Sequence, residues 1–270
     1  MDLGTAILLG FFQGLFEWLP VSSEGATVIL NTLLGGNISD SIDISIFLHL
    51  GTVFSAIIFY RKEVIEIVTL KDKNMLKFLI IATTITLAIG VPLYFTLKEI
   101  SEAIGIFFIA IVGVALLITG ILQILSRKKL ENAESDGNES EIGIRETYTL
   151  KDAIFGGIGQ GFSIIPGISR SGTTTSVFFF RKLGQNSALK LSFLMSIPVI
   201  LIANVGLAFL SNSNINFSVE AIAGLITAFI VGLVTIKALT MLAAKVNFGM
   251  FVIIMGVLAI IPVIFIVFFL

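Results

Sequence analysis

Glu17, Glu24 and Arg170 each lie deep inside an apolar segment of this 270-residue chain. A charge at the centre of a bilayer costs at least about 2.5–3.5 kcal/mol, so such groups face a polar cavity and pair with one another or with backbone. All three fall in two related stretches. The first reads Gln13-Gly14-Leu15-Phe16-Glu17-Trp18-Leu19-Pro20-Val21-Ser22-Ser23-Glu24-Gly25-Ala26-Thr27, and the second Gln160-Gly161-Phe162-Ser163-Ile164-Ile165-Pro166-Gly167-Ile168-Ser169-Arg170-Ser171-Gly172-Thr173-Thr174. At one fixed offset Gln13 matches Gln160, Gly14 matches Gly161, Ser22 matches Ser169, Gly25 matches Gly172 and Thr27 matches Thr174; only the prolines slip, by one place. Duplicated Gly/Pro-broken segments point to a binding site near the midplane of an inverted-repeat membrane protein.

The two copies offer different chemistry. Gln13 and Glu17, four residues apart, share one face of a helix, which Pro20 then ends by lacking a donor and clashing with the preceding turn. In the second copy Arg170 stands among Ser169, Ser171, Gly172 and Thr174, directly before a second half-helix. The amides and positive dipole end of such a helix attract anions, hydroxyls add donors, and the guanidinium fork grips phosphate in bidentate fashion. Simpler roles exist for the same residues. Gln13 and Glu17 could cap loose backbone at a broken helix, and an Arg170–Glu17 ion pair could tie the two hairpins together while still serving a site. His49, the single histidine, lies in Phe47-Leu48-His49-Leu50-Gly51-Thr52 and corresponds to Ser196 at the repeat offset. That puts it near the pocket, as a packing residue or an auxiliary to the chemistry.

These residues need elements to hold them, and composition says where those elements reside. The chain is 56% hydrophobic and 13% charged, with mean hydropathy +1.04, whereas soluble domains carry about 25% charged residues. It reads as an all-α integral membrane protein with no room for a soluble domain. A span takes about 20 mostly apolar residues; the segments 44–60, 76–97, 103–125, 189–210, 218–243 and 248–270 meet or approach this, while the motif segments 3–34 and 152–180 are apolar but broken. No basic region precedes the first apolar segment, so a removable leader is not expected. The absence of cysteine excludes disulfides and thiolate metal sites.

Lysine and arginine concentrate in the loops 61–77, 126–151, 181–190 and 244–247, while 35–43, 98–102 and 211–217 carry only Lys98. The positive-inside rule makes the first group cytoplasmic and the second external. This works only if each motif segment enters and leaves on one side, the first from outside and the second from the cytoplasm. Each half is then a re-entrant helical hairpin plus three transmembrane helices. Because three is odd, the second half is inverted: repeat one over 1–125, a cytoplasmic linker over 126–150 rich in Glu, Asp, Gly and Asn, and repeat two over 151–270.

The two motifs resemble those of the undecaprenyl-diphosphate phosphatase family, also called bacitracin-resistance proteins. Gln13 and Glu17 match its Glu/Gln-x-x-x-Glu motif, Leu19 to Ser23 match Leu-Pro-Val-Ser-Ser, and Pro166 to Thr174 match Pro-Gly-x-Ser-Arg-Ser-x-x-Thr at every specified position. The resemblance covers essentially the whole chain. It implies a membrane hydrolase that removes the terminal phosphate of a polyprenyl diphosphate, giving the monophosphate carrier and inorganic phosphate. With that come lipid-carrier recycling, a link to antibiotic resistance, Glu17, Ser23 and Arg170 as catalytic residues, and a divalent cation, Mg²⁺ or Ca²⁺, with Glu17 as a ligand. Gln13, Ser22, Glu24, Ser169, Ser171, Gly172 and Thr174 would contact substrate. Many members carry histidine where this chain has Ala26, so a serine activated by that neighbour does not transfer. The nucleophile is then Ser23 or a water, activated by Glu17 or Glu24. The expected partners are the lipid substrate and membrane lipids, not nucleic acid, with a homodimer left open; the expected place is the plasma membrane, with a site opening to the outer face. The competing reading is a flippase or transporter of polyprenyl phosphate, since inverted repeats with broken helices are transporter architecture and fold does not settle function.

Overall fold

A computed structural model describes residues 1–135, 144–210 and 218–269. Asp136, Glu139 and Glu141 of the acidic linker, and the expected outer segment 211–217, lie outside the described residues.

Apolar runs punctuated by capping residues and Pro/Gly breaks make the regular structure of the described residues all helical. The helices are α1 (Leu3–Phe16), α2 (Ser23–Leu33), α3 (Ile38–Phe59), α4 (Arg61–Val68), α5 (Lys73–Ile104), α6 (Phe108–Ser135), α7 (Leu150–Phe162), α8 (Arg170–Phe180), α9 (Gln185–Leu210), α10 (Val219–Lys245) and α11 (Gly249–Phe269). Side-chain caps start several of them: Asp2 accepts from Thr5 N at 3.0 Å before α1, Asn37 from Ser39 N at 2.8 Å before α3 and Asp72 from Met75 N at 2.9 Å before α5. Such caps satisfy amides that have no partner inside the helix.

Among the described residues, five helical runs are long and apolar enough to cross a membrane. One of them, Lys73–Asn132, comprises α5 and α6 on either side of a short 3₁₀ turn where Gly105 takes φ +51°. The protein is therefore a multi-pass helical membrane protein. α6 continues as helix past residue 125 to Ser135, into the stretch expected to be linker. Each motif segment is two short helices of 11 to 14 residues, below the about 20 residues that a span requires.

The offset that aligns Gln13 with Gln160 carries α2 onto α8 end for end, and the starts of α1 and α3 onto those of α7 and α9. Packing exchanges partners between the halves: α1 lies along α10, α7 along α5, and α6 along α11. Small residues permit this. A Cβ on Gly10 would lie 2.2 Å from the Gly224 carbonyl oxygen, and one on Gly120 would lie 2.6 Å from that of Gly249. Without a hydrophobic drive between helices in lipid, such close backbone approach is a main source of association. The outer faces of α6, α10 and α11 present Ile118, Val234, Leu258 and Ile261 to the surroundings, as lipid-facing helices do.

The basic loops gather at one end of the molecule. Glu63 pairs with Lys190 at 2.8 Å, Arg127 donates to the Ala244 carbonyl at 3.1 Å, and Arg145 donates to that of Arg181 at 2.8 Å. Arg145 N bonds the Lys182 carbonyl and Gly184 N bonds the Arg145 carbonyl, both at 2.8 Å. The chain before α7 therefore meets the chain after α8. Asp152, in the first turn of α7, locks that closure by pairing with Arg145 at 3.0 Å and with Arg181. Burial pushes the Asp152 carboxyl up, but hydrogen bonds from Arg145, Thr149 and Arg181 outweigh it and bring it down to about 2. At the opposite end Lys98 pairs with Asp43 at 2.6 Å, and Ser39 donates to Glu102 at 3.0 Å. The start of α3 thus meets the end of α5, residues 98–102 being helical rather than the loop expected from sequence.

Candidate active site

The turns of the two hairpins are locked face to face. Ser22 caps α2 by accepting from Gly25 N at 3.0 Å, and the same oxygen accepts from Gly167 N at 3.1 Å. Ser169 caps α8 by accepting from Gly172 N at 3.1 Å and donates to the Val21 carbonyl at 3.1 Å. Ser171 donates to the Leu19 carbonyl at 2.9 Å. From α6, Gln123 donates to the Pro20 carbonyl at 2.5 Å and Thr119 to the Gly167 carbonyl at 3.0 Å. Pro20 and Pro166 leave these carbonyls and amides without helical partners, and the joint satisfies them in a dry interior where an unpaired group is expensive.

On this joint sits a charged cluster. Glu17, at the C-cap of α1, binds Arg170 through Oε1. Its Oε2 accepts from Gln13 Nε2 at 2.9 Å and Ser23 Oγ at 3.2 Å, and lies 3.2 Å from His49 Nε2. Arg170 is the first residue of α8; it also donates to the Ser192 carbonyl at 3.1 Å and lies over the Phe193 ring at 5.5 Å. His49 Nδ1 bonds the Ser45 carbonyl at 2.7 Å, and its Nε2 lies 3.5 Å from Ser23 Oγ. Glu24 is only 8% exposed, and its Oε1 has no hydrogen-bond partner among the described residues.

A cavity of about 600 Å³ opens onto this cluster. Glu24, His49 and Arg170 form its polar end. Leu87, Val91, Phe95, Ile164, Ile200 and Ala203 are among its walls, and Lys98 and Glu102 lie at the end where the start of α3 meets the end of α5. A smaller recess beside it is bordered by Glu17, Ser22, Ser23, Glu24, Ser169, Arg170 and Ser171. An apolar channel ending in a few convergent charges is the form of a site for an amphiphile with an anionic head.

Gln13, Glu17, Ser23, Glu24, His49 and Arg170 are thus brought together, from α1, α2, α3 and α8. Ser22, Ser169 and Ser171 border the recess, but their hydroxyls are engaged in the joint. Gly172 and Thr174 do not line the cavity: Gly172 packs on Gln123, and Thr174 donates to the Arg170 carbonyl at 2.8 Å and meets Ser192 Oγ at 2.6 Å. The amides of Ser169, Gly172 and Thr173 are bonded to Thr119, Ser169 Oγ and the Ser169 carbonyl. These three amides are therefore not free to cradle an anion.

Five supporting residues escape a motif reading: Thr119 and Gln123 on α6, Ser45, Ser192 and Phe193. Ser45 and Ser192 are separated by the repeat offset, and their carbonyls hold His49 and Arg170 respectively. A search for repeated small polar residues within spans would have found them. Gln123 is an amide in an apolar span, a signal of its own.

Comparison with known proteins fits this site. The family model described as "Bacitracin resistance protein BacA" matches residues 6–261. A protein of Methanococcoides burtonii named undecaprenyl-diphosphatase is 37% identical, the match covering 96% of this chain and 98% of that one. Proteins of the same name from Haloarcula marismortui and Methanothrix thermoacetophila are 38% and 34% identical, covering 90% and 96% of this chain and 91% and 96% of theirs. Matches of this extent place the chain in the BacA bacitracin-resistance family.

Proposed function

We propose that this protein is a membrane phosphatase that removes the terminal phosphate of an undecaprenyl-type diphosphate, releasing the lipid monophosphate and inorganic phosphate. The observation that carries the reading is the apolar cavity ending on Arg170, Glu24 and His49, with Ser23 beside them. A polyprenyl tail can lie along the apolar walls while the diphosphate reaches the charges.

In this reading Ser23 Oγ attacks the terminal phosphorus, the bond to the bridging oxygen breaks, and water later hydrolyses the phosphoserine. Arg170 keeps N–H groups beyond those given to Glu17 and Ser192, since a guanidinium has five, and these meet phosphate oxygens as charge develops. Glu17 holds Arg170, Gln13 and Ser23 in register. Both Glu17 oxygens are engaged by donors, so the carboxylate with free acceptor capacity is Glu24. Mg²⁺ or Ca²⁺ takes oxygen ligands and commonly combines one or two carboxylates with substrate phosphates. Glu24 would hold it, and its chemistry would be to neutralise the diphosphate.

We infer the membrane arrangement from the same features. α1–α2 and α7–α8 are re-entrant hairpins of two inverted halves, the basic end is cytoplasmic, and the cavity opens toward the outer face of the plasma membrane. The arrangement of the halves also favours a second reading, a carrier that flips polyprenyl phosphate. One measurement separates them: inorganic phosphate release from a short polyprenyl diphosphate by purified protein in detergent, where transport has no meaning. Release that depends on Glu17 and a divalent cation supports the phosphatase, and no release at any cation concentration refutes it.

A further inference from the structure

The joint leaves one question about Ser23 open: where its proton goes. α2 itself offers no imidazole near the serine, the residue three places on being Ala26. Glu17 is poorly suited, because Oε1 is committed to Arg170 and Oε2 already accepts from Gln13 and Ser23. Glu24, the other carboxylate at the recess, leaves Oε1 without a hydrogen-bond partner among the described residues, and the imidazole in reach of Ser23 comes from a different helix. His49 on α3 puts Nε2 3.5 Å from Ser23 Oγ, and its ring orientation is fixed from behind. Nδ1 lies 2.7 Å from the Ser45 carbonyl, one turn earlier on α3. A carbonyl oxygen only accepts, so Nδ1 carries a proton; Nε2 sits between Glu17 Oε2 at 3.2 Å and Ser23 Oγ at 3.5 Å, and in the neutral ring it is the nitrogen whose lone pair can take the serine proton.

We propose that His49 is the catalytic base of this phosphatase, taking the Ser23 proton on Nε2 as Oγ attacks. The proposal rests on the phosphoserine reading given above. Glu17 Oε2 lies 3.2 Å from Ser23 Oγ and 3.2 Å from His49 Nε2. The moving proton therefore starts in a hydrogen bond from the serine to that oxygen and ends in one from the imidazolium to the same oxygen. The carboxylate stabilises the ring only once it is charged, which is the transition-state selectivity catalysis needs. In the first step the O–P bond to Ser23 forms, the bond to the bridging oxygen breaks, and the lipid monophosphate leaves with its electron pair. His49 passes its proton to the departing phosphate or to solvent. In the second step the neutral ring takes a proton from water as that water attacks phosphorus, and the Ser23–phosphorus bond breaks. The ring then returns the proton to Ser23 as phosphate leaves. The 3.5 Å separation is long, as catalytic hydrogen bonds often are before substrate tightens them.

The charged groups facing the ring are Glu17 from α1, Glu24 from α2 and Arg170 from α8. Around α3, α9 contributes Ser196 to the same cavity, α5 directs Tyr94 and Lys98 to Asp43, and α10 meets Gly51 through Leu225 and Phe229.

The chain's single histidine permits a direct test on the purified wild-type protein in detergent. Diethylpyrocarbonate should abolish phosphate release with one imidazole adduct, and hydroxylamine should restore it. His49→Gln should lower kcat by about 100-fold or more, the usual worth of a positioned base, and remove the acidic limb of the kcat–pH profile; in His49→Ala, added imidazole should recover turnover, which a packing role would not allow. Fully adducted wild-type protein that keeps its turnover would overturn the proposal, as would His49→Gln with wild-type kcat and pH profile while Ser23→Ala is dead. If Ser23→Ala is itself fully active, the serine reading falls and takes this proposal with it.

Discussion

Glu17 receives four side chains drawn from four helices: Gln13, Ser23, His49 and Arg170. Removing one partner of a buried ion pair typically costs about 3–5 kcal/mol, because the other charge is left unpaired. Arg170→Ala would therefore confuse lost chemistry with lost folding, and Arg170→Lys is the cleaner probe. Lysine keeps the positive charge beside Glu17 but has no planar fork to hold Glu17, the Ser192 carbonyl and a phosphate oxygen together. Its kcat for phosphate release should fall by about 10²–10³-fold, the usual effect of losing one donor to developing negative charge, with the detergent melting temperature little changed. A lysine variant with near-wild-type kcat would remove Arg170 from the transition state and leave it only the tie between hairpins.

At the scale of elements, the site depends on two helix breaks that face each other, and the sequence made these unusually legible. Pro20 and Pro166–Gly167 mark the breaks and the fixed offset the pairing of α2 with α8, whereas Ser22 and Ser169, expected at the substrate, cap the two helices. Hydroxyl roles were harder to read. A serine beside an arginine looks the same in sequence whether it meets substrate or a carbonyl, and Ser169 and Ser171 bond the carbonyls of Val21 and Leu19, about 150 residues earlier in the chain. Thr119 and Gln123 were invisible to motif reading because their partners are the broken backbone itself. This joint predicts an asymmetry between two glycines. Gly167 has φ +102° and Gly35 has φ +86°. A Cβ at 167 would lie 2.3 Å from the Val112 carbonyl oxygen, whereas one at 35 would meet nothing within 4 Å. Gly35→Ala should carry only the backbone strain, about 1–3 kcal/mol, and keep phosphate release. Gly167→Ala adds the clash, pushes the turn off α6 and should lower both melting temperature and activity clearly more. Equal effects from the two substitutions would mean that the turn contact contributes nothing beyond local strain.

For the whole molecule, the distribution of charge and the closure of the hairpins make one joint statement about topology. Arg145, Asp152, Arg181 and Lys190 meet at one end, and Lys98, Asp43, Ser39 and Glu102 meet at the other, beside the cavity. If the halves are inverted, the two ends of the first hairpin lie on one side of the membrane and the two ends of the second on the opposite side. The absence of cysteine makes the wild-type chain its own background for labelling. Single cysteines at the exposed positions Asp2, Asp40 and Glu99 should react in intact cells with a membrane-impermeant maleimide. Cysteines at the exposed positions Lys71, Lys151, Asn186 and Asn247 should react only after permeabilisation. The reverse pattern would keep the re-entrant architecture and turn the cavity toward the cytoplasm. The decisive comparison is within each hairpin. Labelling of Asp2→Cys and Asp40→Cys from opposite sides would mean that α1 and α2 together cross the membrane, and the same split between Lys151→Cys and Asn186→Cys would do so for α7 and α8. Either split would leave the two halves without an inverted relation, and with it would go the reason for two half-helices to meet at the midplane around one charged cluster.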